Sequence, residues 1–67
     1  MKNFDYQGYF VCISDTMPSG FIYATARADD TDDVIKCAYM DYPMREIVAK
    51  MRANIRYRKT NQIVMKG

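Results

Sequence analysis

Tyr6-Gln7-Gly8-Tyr9-Phe10-Val11-Cys12-Ile13-Ser14, then Asp15-Thr16-Met17-Pro18-Ser19-Gly20, then Phe21-Ile22-Tyr23-Ala24-Thr25-Ala26-Arg27-Ala28, is the stretch on which the fold turns. The first and third pieces are rich in aromatic and β-branched residues, the types that fit a pleated, half-buried surface. The middle piece puts Pro, Ser and Gly together, each of which favours a turn for its own backbone reason. The three pieces therefore predict a β-hairpin, with strands over 6–14 and 21–28. Side chains alternate along a strand. Phe21, Tyr23, Thr25 and Arg27 then share one face of the second strand, and Ile22, Ala24, Ala26 and Ala28 the other. The first strand divides into Tyr9, Val11 and Ile13 against Phe10 and Cys12. The small alanines suit a helix packed closely across their face. Both faces are apolar enough to be at least partly covered.

After the hairpin, Asp29-Asp30-Thr31-Asp32-Asp33 offers caps and first-turn acids for a helix. Val34, Ile35, Ala38, Tyr39 and Tyr42 fall on one arc of a helical wheel, which predicts a helix over about 31–41. Pro43 disfavours a helical Tyr42 and ends or kinks it, and is itself suited to open a second helix capped by Asp41 or Tyr42. In that second helix Met44, Ile47, Val48, Met51 and Ile55 form one apolar arc, the clearest periodicity in the chain. Arg58 would fall on the same arc, so the helix is expected to stop near 55–57. Gln62-Ile63-Val64-Met65-Lys66 reads as a third strand. A rival reading pairs Ile55–Arg58 with Ile63–Lys66 as a second hairpin. The expected fold class is α+β, a small antiparallel hairpin or sheet packed by one or two helices, in the order ββαα with a C-terminal strand.

Sixty-seven residues make a single domain spanning 1–67. A chain this short buries only about 60% of its unfolded surface, which leaves a thin stability margin and makes a homodimer or a permanent partner attractive. The longest apolar run, Tyr9–Ile13, is far below the ~20 residues that span a bilayer, so no membrane partner is expected. Met1–Asp5 shows no apolar signal region, and a cytoplasmic location is expected. Cys12 and Cys37 make no CxxC pair and the chain has no His, which argues against structural zinc. Two reduced, buried thiols or one disulfide remain open.

Charge is unevenly spread. Residues 1–43 carry Lys2, Arg27 and Lys36 against seven Asp, net −4; residues 44–67 carry seven basic groups against Glu46, net +6. The net charge of +2 hides this dipole. The acidic cluster lacks the alternating oxygens, turn Gly and distant Glu of a calcium loop, so it reads as a helix start rather than a metal site. Cys12, Cys37, Ser14 and Ser19 have no His for a base, and Glu46 is the only Glu. No enzyme activity and no cofactor are expected.

Two surfaces are the candidate partner-binding sites. Arg45, Arg52 and Arg56 form one ridge flanking the apolar arc of the second helix, and Arg58 and Lys59 carry the positive charge onward. Such a ridge suits an acidic protein surface, a phosphate backbone or the chain's own Asp29–Asp33. Phe10, Phe21 and Tyr23 share the sheet face opposite the alanines, and Met40 lies off the Val34–Ala38 arc as a further exposed contact. That aromatic face is either a binding surface or is covered by the tail or a second copy of the chain.

Ala28-Asp29-Asp30-Thr31-Asp32-Asp33-Val34-Ile35-Lys36-Cys37-Ala38, following an aromatic hairpin, resembles the arrangement in small phage host-takeover proteins, among them the RNA polymerase inhibitor of short-tailed coliphages. The resemblance covers about residues 9–42, and the Pro43 break and the basic helix depart from it. It implies a phage- or mobile-element-encoded protein that inhibits or modulates a host protein complex. Inhibitors of bacterial defence nucleases, such as anti-CRISPR proteins, are analogous in size and character. The alternative is a small nucleic-acid-binding regulator using the basic C-terminal third.

Overall fold

The computed structural model describes the backbone of residues 1–66 and the side chains of residues 1–60. Four strands, β1 (Lys2–Tyr6), β2 (Tyr9–Ile13), β3 (Phe21–Ala28) and β4 (Val34–Met40), are followed by one helix, α1 (Met44–Lys66). The strands form one antiparallel sheet in the order β1-β2-β3-β4, each paired with its neighbour in sequence. The α+β class expected from the sequence holds, but the element order is ββββα.

The expected strand over 6–14 contains the second half of a hairpin that the sequence reading missed. Tyr6 pairs with Tyr9 around Gln7 and Gly8, whose φ angles of +48° and +83° are those of a two-residue primed turn. The turn directs Phe4 and Tyr6 to the same face as Val11 and Tyr9. The β2–β3 connection turns as expected: Gly20 N–H donates to the Met17 carbonyl across Pro18 and Ser19.

The expected helix over 31–41 is strand β4, and the acidic cluster before it is a turn rather than a helix start. The nine residues 34–42 between that turn and Pro43 allow little more than two helical turns. The β-branched Val34 and Ile35 favour a strand, and β3 supplies an unbroken partner from Arg27↔Val34 to Phe21↔Met40. Residues 28–38, expected from the phage resemblance to lead from a hairpin into a helix, are instead a strand–turn–strand unit.

Pro43 stands immediately before the helix and itself takes the capping place expected of Asp41 or Tyr42. Its carbonyl accepts from Glu46 and Ile47 N–H at 3.0 and 3.2 Å, and Met44 is the first helical residue. The helix neither stops at 55–57 nor gives way to a strand or second hairpin; it runs on through Lys66. Arg58 does not break it: its guanidinium reaches over to pair with the Asp33 carboxylate.

The core lies between the sheet and α1. Ile47, Met51 and Ile55 are fully buried against Val11, Ile13, Ala24 and Ala26, with Met44 and Val48 partly buried beside them. Ala24 and Ala26 sit on the central strand where the helix crosses. Their short side chains permit the close approach that the sequence suggested. Filling that space would force strained rotamers or push the helix away.

Candidate functional site: the open face of the sheet

The helix covers one face of the sheet, so odd–even alternation decides what the other face presents. Register places Phe10, Arg27 and Val34 in one row across β2, β3 and β4. The next rows hold Cys12, Thr25 and Lys36, then Tyr23 and Ala38, then Phe21 and Met40. Phe10, Phe21, Tyr23 and Met40 are 43, 37, 46 and 42% exposed, although a core residue of these types would be near zero. Phe21 and Tyr23 stack with ring centroids 6.1 Å apart, so two of the four side chains already form a small apolar platform. The described residues leave this face uncovered, and the tail continues α1 instead of forming a strand over it.

The structure thus places four of the residues singled out from the sequence on one face, with Phe21, Tyr23 and Met40 together at one end and Phe10 at the other. Met40 reaches the face for a different reason than a helical wheel gave: it ends β4 on the same side as Phe21. Arg27 and Lys36 were not singled out, yet they are the cations of this face, and the alternation of β3 carried half of that signal.

The basic ridge lies on the other side of the molecule and is largely engaged with the chain itself. The Arg52 guanidinium stands 5.6 Å from the ring centroids of both Phe4 and Tyr6. Arg56 donates to the Tyr6 hydroxyl at 2.9 Å, and Lys59 to the Gln7 carbonyl at 3.3 Å. Arg58 pairs with Asp33, which also accepts from the Tyr9 hydroxyl. Arg45 is exposed in the first turn of α1. Of the readings open at the level of sequence, the intramolecular one describes Arg58, and β1, unseen there, receives Arg52 and Arg56.

Burial and the Asp33 carboxylate push the Tyr9 phenol up to about 12. Burial, with the neighbouring Cys37, raises Tyr39 to about 12, against a lowering hydrogen bond from Asn54. Both tyrosines are structural groups on the helix side. Cys12 and Cys37 are free thiols, half-buried rather than buried. They sit on opposite faces in strands separated by β3, so an intrachain disulfide has no geometry.

A shallow polar cleft of about 510 Å³ lies where the β1–β2 turn meets the β3–β4 turn, between Gly8, Asp29, Asp30 and Lys59. Among the described residues no three His, Cys, Asp or Glu side chains gather as metal ligands, and no helix is long and apolar enough to cross a membrane. No protein-family model, curated protein or solved structure matches this chain, so the open aromatic face stands on its own geometry as the candidate site.

Proposed function

We propose that this chain is a non-catalytic binding module that inhibits or modulates a host protein complex, in the manner of small phage-encoded inhibitors, and that it docks through the open face of its sheet. The observation that carries the reading is the cluster of Phe21, Tyr23 and Met40 at one end of the face the helix leaves bare, with Phe10 at its other end, all exposed. Aromatic residues and Met, with Arg at the margin, are the side chains enriched where proteins meet. Arg27 and Lys36 outnumber Asp5, which lies beside Phe10 on the same face, and leave the face a net positive character suited to an acidic partner surface.

A second reading is supported by the same cations. Phe10 lies directly across from Arg27, an arrangement that also suits a stacked base beside a phosphate, so single-stranded nucleic acid is the alternative ligand.

The test is a pair of variants, Phe10→Ser and Tyr23→Ser, used as bait against host lysate and in titration with a labelled single-stranded oligonucleotide. Both side chains are exposed, so circular dichroism and the thermal midpoint should hold. Capture of one defined host complex should fall about 30-fold or more, the effect of losing a hot-spot side chain. If neither variant alters capture, the open face is not the docking surface. Oligonucleotide affinity that falls steeply with salt and is lost in both variants would favour the second reading.

A further inference from the structure

The open face is not the only unpartnered part of the sheet. Its two edges, β1 and β4, also end without a neighbour, and they differ sharply in character. β1 is five residues long and carries Lys2, Asn3 and Asp5, the charged and polar types that discourage edge pairing. β4 is seven residues, Val34-Ile35-Lys36-Cys37-Ala38-Tyr39-Met40, with no Pro or Gly, no break in its register and a single charge. Long, regular and mostly apolar edges of this kind are templates for another strand.

The hydrogen-bond pattern says which groups β4 offers. Ala28 N–H donates to the Asp33 carbonyl at 3.0 Å, so residue 33 turns its backbone groups toward β3. Backbone direction alternates along an antiparallel strand, and Ile35, Cys37 and Tyr39 follow Asp33 inward. Val34, Lys36, Ala38 and Met40 therefore point their N–H and C=O groups outward, away from the sheet.

We infer that β4 pairs with β4 of a second copy of this chain, antiparallel about a two-fold axis at Cys37, to give a closed eight-stranded dimer. This inference is independent of what the open face binds. Only the register centred on Cys37 engages all four outward residues of both copies, as Val34 with Met40 and Lys36 with Ala38. On the helix side it sets Ile35 across from Tyr39, a favourable β-branched–aromatic pair. Charge also favours it over the neighbouring register, because it keeps the two Lys36 side chains diagonal to each other rather than directly opposed. Slipping the pairing by two residues toward the strand's start would place Lys36 directly opposite Lys36, and like charges directly across a ladder are destabilising. The flanking acids do not oppose the pairing: Asp33 is held by Arg58 and Tyr9, and Asp41, with φ +65°, takes the chain out of strand geometry. In the dimer both helices lie on one side, and the two aromatic faces become one continuous surface.

The geometry places Cys37 opposite its own copy in a non-hydrogen-bonded pair, where Cα atoms approach to about 4.5 Å, within reach of a disulfide. The Cys12→Ser variant, treated with a mild oxidant such as copper phenanthroline, should give a covalent dimer, and adding Cys37→Ser should abolish it. Sedimentation velocity then reads the edge directly. Ala38 is exposed on the open face, so substitutions there spare the core. Ala38→Lys sets a lysine against Lys36 twice in the dimer and should weaken association about 2- to 30-fold, whereas Ala38→Glu should tighten it over the same range. Ala38→Pro removes an outward N–H that bonds nothing within the chain, and should leave a folded monomer. A wild-type chain that stays monomeric at high micromolar concentration overturns the inference. So does a dimer that Ala38→Lys and Ala38→Glu affect alike, or concentration-dependent growth beyond a dimer, which would signal β4 pairing with β1.

Discussion

Replacing Asp33 with Ala tests whether the last third of the helix is tied to the sheet as the structure has it. One carboxylate serves three elements: it sits in the β3–β4 turn, accepts from the Tyr9 hydroxyl of β2 and pairs with Arg58 of α1. The two contacts are unequal. Tyr9 is 4% exposed, so its hydroxyl, once orphaned, has little water to turn to and costs about 1–3 kcal/mol. The Arg58 and Asp33 side chains are 39 and 18% exposed, so solvent screens their attraction and the pair contributes only about 0–1 kcal/mol. Asp33→Ala should therefore destabilise by about 1–4 kcal/mol. A chain of this length has roughly 3–10 kcal/mol in total, so the loss is large. The assay is urea unfolding of Tyr9→Phe, Arg58→Met and Asp33→Ala, singly and in pairs. The Tyr9–Asp33 coupling should be about 1–2 kcal/mol and exceed the Arg58–Asp33 coupling. A coupling to Arg58 as large as that to Tyr9, or a neutral Asp33→Ala, would refute the reasoning.

Gln7 holds a φ of +48° in the β1–β2 turn, a conformation Asn tolerates better than Gln. Gln7→Asn, which creates the Asn-Gly pair favoured in two-residue hairpins, should add about 0.5–1 kcal/mol and raise the thermal midpoint; a lowered midpoint would remove that turn assignment. Alkaline stability follows from Tyr9 and Tyr39, both raised from 10.0 to about 12. The folded state holds these protons more tightly than the unfolded state, so their contribution is full below pH 10 and is lost as pH rises through about 12. Following tyrosinate absorbance, two of the six tyrosines should titrate late and together with unfolding, and Tyr9→Phe should flatten the decline.

The hairpin, the faces of its strands and the buried arc of the second helix were legible because each is a local pattern. Alternation from Phe21 to Ala28 and the spacing of Met44, Ile47, Met51 and Ile55 carry their own orientation. β4 was misread because Val34–Met40 satisfies a helical arc and a strand alternation about equally, and only the neighbouring β3 decides between them. β1 was missed for a related reason. Phe4 and Tyr6 alternate with Asn3 and Asp5, but a five-residue strand gains its meaning from the Gln7–Gly8 turn and from β2. The end of α1 was misplaced because Arg58 was judged as a charge on an apolar arc, without the Asp33 that receives it. The aromatic half of the candidate site came from alternation. The arginine half was half-read: the ridge exists, but its partners Phe4, Tyr6 and Gln7 lie some fifty positions away in the chain.

A sheet whose every strand pairs with the one before it has a consequence for how the chain finds its shape. Each ladder closes a short loop: two residues for β1–β2, seven for β2–β3 and five for β3–β4. Short closures cost little chain entropy, so the sheet can zip from hairpin to hairpin without a long search. The contacts of Arg56 with Tyr6 and Lys59 with Gln7 are the opposite case, spanning 50 and 52 positions. They form only after β1 and α1 are both in place. Substitutions along that seam should change how fast the protein unfolds far more than how fast it folds.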